Sequence, residues 1–329
     1  MQLRIATFNL ESLDDRPGLE PALAARIAVL RPQLERLRAD VLCLQEVNGQ
    51  SPGGHAPRQL LALDALLEGT AYAGYHRAAT EGPRGHGAYD VHNLAILSRF
   101  PILDHAQLHH DLVSPPNYRP ATARPPAAQA EDVAWDRPIL HAALDLSGGT
   151  TLHVVNLHLR APLAAVIAGQ KRGPSAWESA GGWAEGFYLA AMKRAGQALE
   201  ARLLIDRLLD EDEGALIAVC GDFNADAREV PVRIIMAREG DTGSGWLAGR
   251  VMVPLERAIP PTARFTVVHA GTRAMLDHVL VSRALLAWYR GSEVHNEALG
   301  DEVGAPQVAA RPDSLHAPVV AAFETPEGA

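Results

Sequence analysis

The chain is short of cysteine and of aromatic rings: its 329 residues hold two Cys, and Phe, Trp and Tyr together make up only 5%. Two cysteines exclude a disulfide framework and a thiolate metal cluster, and zinc is not expected, since no zinc-spaced histidine pair is present either. Cys43 and Cys220 each lie inside an apolar run and read as small buried hydrophobes. With so few rings, Leu, Ala, Val and Ile must fill the interior; at 47% hydrophobic they suffice for a large core, in one domain or two. No apolar stretch reaches membrane-spanning length. The chain opens directly on a strand pattern, Leu3-Arg4-Ile5-Ala6-Thr7-Phe8, with no signal peptide, so a soluble cytoplasmic protein is expected. A basic surplus is missing too: the net charge is −9. That argues against a protein that holds duplex nucleic acid by charge alone, though not against one that works through a bound divalent cation.

What the chain does have is a set of apolar runs that each end in polar residues. Ala215-Leu216-Ile217-Ala218-Val219-Cys220 reads as a buried strand, and Gly221-Asp222-Phe223-Asn224 follows at its C-terminal mouth. Alternation turns Asp222 and Asn224 into one crevice and Phe223 into the core. Strands are predicted at residues 2–8, 41–45, 91–98, 139–146, 151–159, 215–220, 263–268, 276–281 and 315–323. Helices are predicted at 20–38, 58–68 and 187–209, the last with Leu199, Leu203, Leu204 and Leu208 on its apolar face. Two strand–helix–strand units share one plan, one ending in Glu46 and the other in Asp222. Ligands of α/β proteins gather at such strand ends. The pattern predicts one domain over residues 1–324 and a tail over 325–329. Two long segments interrupt it: the proline-rich 112–136, and the glycine-rich 161–186 with Trp177 and Trp183, which follows a candidate catalytic strand and reads as a substrate-contacting loop.

The polar ends make a constellation. Asn9 and Glu11 stand two apart; Glu46 closes Val41-Leu42-Cys43-Leu44-Gln45-Glu46; Asn156, His158 and Arg160 share a strand face; Asp222 and Asn224 follow; Asp277 and His316 come last. Hard oxygen donors such as Glu11 and Glu46 suit Mg²⁺ or Mn²⁺. His105, His109 and His110 read as a surface cluster. Tyr118, Trp135, Trp177 and Trp183 offer faces for stacking on bases, but are expected to pack the long loops down.

The ordered series Thr7-Phe8-Asn9, Leu44-Gln45-Glu46-Val47, Asn93-Leu94-Ala95-Ile96-Leu97-Ser98-Arg99, Asn156-Leu157-His158-Leu159, Gly221-Asp222-Phe223-Asn224, Leu276-Asp277-His278-Val279-Leu280-Val281-Ser282 and Ser314-Leu315-His316-Ala317-Pro318-Val319 resembles the endonuclease/exonuclease/phosphatase superfamily over nearly the whole chain. The resemblance implies a four-layer α/β/β/α sandwich of two packed mixed sheets with helices outside. It implies a metal-dependent hydrolase of phosphate esters, with nucleic acid, a lipid head group or a small ester as substrate. Glu46 then resembles the principal metal ligand and Glu11 a second acid. Asn9 would orient the acid or the phosphate, His158 contact the phosphate, Asp222 activate water, Asn224 bind a phosphoryl oxygen, and Asp277 hold His316. His316 would serve as base or as cationic clamp. Asn156, Arg160 and Asn93 are expected at the substrate. Abasic-site repair is disfavoured, because His158 stands where such enzymes resemble one another in having Tyr. One departure matters: Leu315 replaces the family's usual Asp. Alternation points Asp313 to the side of Leu315, so it is a doubtful substitute. That departure keeps a second reading open, a non-catalytic binding module on the same fold.

Overall fold

The computed structural model describes residues 1–53, 56–82, 87–146, 148–303 and 311–325. Twelve of its strands form two mixed sheets. The first comprises β1 (Gln2–Leu13), β2 (Val41–Val47), β3 (His76–Ala79), β4 (Asn93–Ser98), β11 (Tyr289–Val294) and β12 (Val319–Glu324), in the order β11-β12-β1-β2-β4-β3. The second comprises β5 (Ile102–Leu108), β6 (Ile139–Asp145), β7 (Thr151–His158), β8 (Leu216–Asp222), β9 (Val253–Pro254) and β10 (Asp277–Val281), in the order β9-β10-β8-β7-β6-β5.

Alternation along the strands builds the layers. Ile5, Cys43 and Ile96 of the first sheet meet Ala142, Val154 and Cys220 of the second in one core between the sheets. The opposite faces carry helices. Leu30, Leu34 and Leu37 of α1 (Leu23–Leu37), with α2 (Leu61–Leu67), cover Phe8, Leu42 and Leu44. Ile205, Leu208 and Leu209 of α3 (Ala180–Glu211), with α4 (Val230–Met236), cover Val155, Ile217 and Val219. This is the four-layer α/β/β/α sandwich that the resemblance implies. The two strand–helix–strand units are there as well, because β1 pairs with β2 and β7 with β8 in parallel. Both cysteines are free and buried.

Several boundaries differ from the sequence pattern, each for a local reason. Helix α3 starts at Ala180, capped by Ser179 Oγ, which accepts from Gly182 N at 3.0 Å. Its glycines look like loop residues in sequence but serve close packing. A Cβ on Gly186 would sit 2.2 Å from the Ala165 carbonyl oxygen. The buried face of α3 is also rotated from the predicted one. Leu199 is exposed, whereas Arg202 is buried and donates to the carbonyls of Ile235 and Arg250, both at 3.0 Å. Of the strand expected at 263–268 only the last two residues are extended, within Val267–His269, one arm of a small ribbon with Thr272–Ala274. The strand expected from 315 begins at Val319, and the stretch before it is irregular and carries His316. Of the expected tail, Thr325 is tied to Met1 O through its N–H at 2.9 Å, and residues 326–329 lie outside those described. No described helix is long and apolar enough to cross a membrane.

Candidate active site

Strand register lines up the polar ends. Asp222 is paired with His158 across the parallel β7–β8 ladder and with Asp277 across the antiparallel β8–β10 ladder, so three polar residues stand in one row at the edge of the second sheet. The first sheet brings Asn9 and Glu46 to the same edge. Asn9 Nδ2 joins the two sheets, donating to Glu46 Oε1 and to Asp222 Oδ2, each at 3.1 Å.

Backbone strain concentrates here. Among the described residues, Glu11, Ser12, Glu46, His92 and Asn224 all have positive φ, between 48° and 60°. Non-glycine residues adopt that region at a cost, and clusters of them mark sites the surrounding structure must hold in place. In β1 the strained pair Glu11 and Ser12 breaks the ladder with β2 between Asn9 and Leu13. The buried guanidinium of Arg26 braces that break, donating to Glu11 O at 2.7 Å and Leu10 O at 2.6 Å. Gly221 has φ 142°, and a Cβ there would meet Leu157 O at 1.9 Å, so the turn into Asp222 excludes every other residue.

Asp222 is the hub. Its Oδ1 accepts from Asn224 N at 2.8 Å; its Oδ2 accepts from the side chains of Asn9 and Asn224 at 3.1 Å. His158 Nε2 lies 3.3 Å from that same oxygen, and His316 Nε2 3.9 Å from it. Burial pushes the Asp222 carboxyl up to about 7, despite the pull of His316. Burial alone would lower His316, but Asp277 and Asp222 outweigh it and raise the imidazole to about 10. Burial holds His158 well below its usual value, with Arg137 and His92 adding to the effect. His158 is therefore a neutral imidazole, and the Nε2–H tautomer places its proton between Asp222 and Glu46, the latter 3.7 Å away.

The sequence profile of the Endonuclease/Exonuclease/phosphatase family matches residues 6–301. The chain belongs to that family. Its members are metal-dependent hydrolases of phosphate ester bonds, and this chain is an enzyme of that class. Solved structures agree in fold at low identity. Truncated Caenorhabditis elegans TDP2 is 15% identical with a TM-score of 0.57, covering 98% of each chain. The 3′ phosphatase NExo from Neisseria, bound to product DNA hairpin, is 19% identical with a TM-score of 0.54, over 98% of this chain and 100% of that one. An endonuclease/exonuclease/phosphatase family protein from Bacteroides thetaiotaomicron is 16% identical with a TM-score of 0.58, over 98% and 96%. No curated protein matches the sequence.

The donor set of this endonuclease/exonuclease/phosphatase chain, carboxylates and imidazoles together, fits a divalent cation. Glu46 is anionic: burial pushes its pKa up, but His92, the Asn9 hydrogen bond, His316 and Arg137 together bring it below the usual value. Each Glu46 oxygen accepts one protein hydrogen bond, Oε1 from Asn9 and Oε2 from Ser12 Oγ at 3.1 Å, so lone pairs remain for a metal. Ligand-type atoms of Glu46, His92 and His158 lie within 4.8 Å of one another, as do those of Asp222, Asp277 and His316. Glu11 falls outside both groups. Burial raises its pKa, and its Oε2 accepts from Leu315 N at 2.6 Å. Asp313, the acid two residues before Leu315, is held by Arg311 through both oxygens, at 3.0 and 2.6 Å.

The three residues expected at the substrate sit differently. Asn156 is fully buried between the sheets, where Nδ2 donates to Leu44 O and Ala95 O at 3.0 Å and Oδ1 accepts from Gln45 at 2.7 Å. Asn93 is equally buried; its Nδ2 donates to the carbonyls of Val47 and Tyr89 and its Oδ1 accepts from Tyr89 N, which braces the turn carrying His92. Neither has a free face for a ligand. Arg160 lies at the rim and pairs with Asp136.

The sequence pattern missed His92 and Arg137. They meet at the site's edge, Arg137 Nη2 donating to His92 Nδ1 at 2.8 Å, and both act electrostatically on Glu46. His92 directly precedes the strand motif that begins at Asn93, and Arg137 precedes Pro138; neither carries a periodic signal. The expected histidine surface cluster divides. His105 is exposed on β5, whereas His110 packs on Trp135 at 3.6 Å between ring centroids and His109 bonds the Trp135 carbonyl. Trp135 itself is buried, its indole donating to Glu200 at 3.1 Å. Trp183 is not packed down: it is 48% exposed.

Proposed function

We propose that the chain hydrolyses a phosphodiester or phosphomonoester by attack of an activated water, with Mg²⁺ or Mn²⁺ held by Glu46 and assisted by Glu11. The observation that carries this is the placing of Asp222: a buried carboxylate oriented by Asn9 and Asn224, between a neutral His158 and a cationic His316. A divalent cation bound there supplies charge stabilisation to the phosphoryl oxygens and acidifies bound water.

Each residue then has a role its surroundings support. Asp222, with its pKa pushed up to about 7, accepts the proton of the attacking water. His316, fixed through Nδ1 by Asp277 at 2.8 Å, keeps its second proton and clamps a phosphoryl oxygen through Nε2. This favours the clamp over the base for His316. His158 donates through Nε2–H as the oxyanion develops. Asn9 orients Asp222 and Glu46. Asn224 keeps its amide on Leu159 O at 2.9 Å and on Asp222, which suits it better to fixing the base than to holding phosphate. Arg160 at the rim is placed to meet the rest of the ester.

The single domain over residues 1–324 belongs to this reading, supported by the core shared between the sheets. A cytoplasmic setting goes with it, supported by two free cysteines. Nucleic acid, lipid head groups and small esters are all substrates of the right chemistry. The second reading, a binding module, is favoured by one contact, the Leu315 N–H on Glu11. Assay of mono- and bis(aryl) phosphates, DNA, RNA and sphingomyelin with Mg²⁺ or Mn²⁺ decides between them. Turnover that disappears with chelator supports the hydrolase; ligand binding with no turnover on any ester supports the module.

A further inference from the structure

We propose, resting on the hydrolase reading above, that a cleft beside the phosphate site holds an uncharged apolar part of the substrate, so that the enzyme prefers phosphate esters carrying an aryl or similarly bulky group. The cleft measures about 520 Å³ and lies between the two long inserts, over α3, within the size range of small-molecule sites. Val133, Ile167 and Leu189 form its apolar floor. Tyr118 forms a wall with its hydroxyl held by Glu185 Oε1 at 2.8 Å, which leaves the ring as a fixed face. Val166 stands at the mouth, 74% exposed.

Two short covalent paths join this cleft to the chemistry. Val133 is four residues from Arg137, which bonds His92. Lys193 lines the cleft, and the next residue, Arg194, donates to Asn224 O at 2.7 Å. Lys193 Nζ also lies 2.8 Å from Asp136 Oδ1, and Asp136 pairs in turn with Arg160 at the rim of the site, so the cleft and the site share a border.

Charge selects the occupant. Lys193 is neutralised by Asp136 at 2.8 Å, and Asp136 takes Arg160 as well. Glu131 and Asp132 stand at the cleft's edge. A polyanionic strand entering there meets two carboxylates and no unpaired cation among the lining residues; an apolar ring meets an apolar floor.

The experiment uses the full chain with Mn²⁺. Diesters sharing one p-nitrophenolate leaving group carry methyl, phenyl or naphthyl as the second group. In the wild type kcat/KM should rise by about tenfold or more from methyl to naphthyl, chiefly through KM. Val166→Asp, at an exposed position, and Ala127→Trp, which fills the cleft, should each bring that ratio towards one, with the thermal midpoint as a check on folding. Calorimetric binding of naphthyl phosphate against methyl phosphate reads the same preference without turnover. Preferred naphthyl binding with no turnover retains the cleft and removes the hydrolase reading. Equal values for methyl and naphthyl in the wild type, a preference that survives both variants, or a single-stranded oligonucleotide that competes for the cleft would each overturn the proposal.

Discussion

His316 Nδ1 lies 2.8 Å from Asp277 Oδ2, although Asp277 starts β10 of the second sheet and His316 sits in the irregular stretch that leads into β12 of the first. Asp277 is fixed by its pairing with Asp222, and His316 by its own N–H, which donates to Ser314 Oγ at 3.0 Å. Ser314 Oγ in turn donates to Asn9 O at 2.8 Å. The dyad is therefore a property of sheet packing, and a change to either sheet reaches it. Asp277→Asn removes the chief counterweight to burial, so the His316 imidazole should titrate towards the ordinary value of about 6.5. We expect kcat to fall on the order of 10²-fold, with the imidazole pKa, read by NMR, moving down together with it. An unchanged imidazole titration would refute the coupling.

Asp222→Asn keeps the size and the acceptor oxygen but removes the base. Turnover should drop at least on the order of 10²-fold, while far-ultraviolet dichroism stays that of the wild type. Retention of near-normal metal-dependent rates would remove Asp222 from the mechanism.

Glu46 and Glu11 should separate in a metal titration. Glu46 is held anionic, whereas Glu11 is raised by burial and tied to the Leu315 N–H. Glu46→Gln should weaken Mn²⁺ binding by an order of magnitude or more, about the size of ligand-shell losses in other metal sites. Glu11→Gln should weaken it less. Calorimetry without substrate checks this; equal losses would make the two acids equivalent ligands.

The layers and the row of strand ends were legible in the sequence because both follow from the period of two: apolar alternation builds the sheets, and a polar break marks where each one stops. That signal singles out Asp222, His158 and Asp277, which the strand register sets in one row. Asn156 and Asn93 carried the same signal for a different reason. Each is a buried amide that satisfies backbone carbonyls between strands, and sequence pattern does not distinguish an amide facing a cavity from one facing a neighbouring sheet. His92 and Arg137 were invisible because irregular backbone positions them, at a positive φ and before a proline. The glycines at the start of α3 were read as loop for their low helix propensity, yet Gly182 and Gly186 stand where a Cβ would meet Gln170 and Ala165, each at 2.2 Å.

Arg137 provides the test of that missed pair. Burial lowers its pKa, and the field of Glu46 and Asp222 acts against this. Arg137→Lys cannot keep both the bond to His92 Nδ1, at 2.8 Å, and the contact with His158 O, at 3.5 Å. We expect a loss of about tenfold or more in kcat/KM, with Mn²⁺ affinity unchanged or higher. A variant with wild-type kcat/KM would confine Arg137 to positioning the His92 turn.

Away from the site, His141 and His153 set an acid limit on stability. His141 Nε2 lies 3.1 Å from His153 Nδ1 and the rings stack at 5.3 Å, so one ring donates, the other accepts, and a second proton has no place. Burial lowers His141 to about 4, with His153 adding to it and Asp104 opposing; burial lowers His153 as well, against Glu211 and Asp212 at the end of α3. Both folded values lie below the unfolded value of about 6.5. The unfolded chain therefore binds more protons as pH falls, and the stabilisation present above about 6.5 is lost on the way down towards 4. For His141 the loss is on the order of 2–3 kcal/mol. His141→Gln leaves a neutral donor beside His153 and removes the proton site. Urea unfolding at pH 7.5 and 4.5 should then show a smaller drop in stability than in the wild type. An identical drop would place the acid sensitivity elsewhere, in the carboxylates.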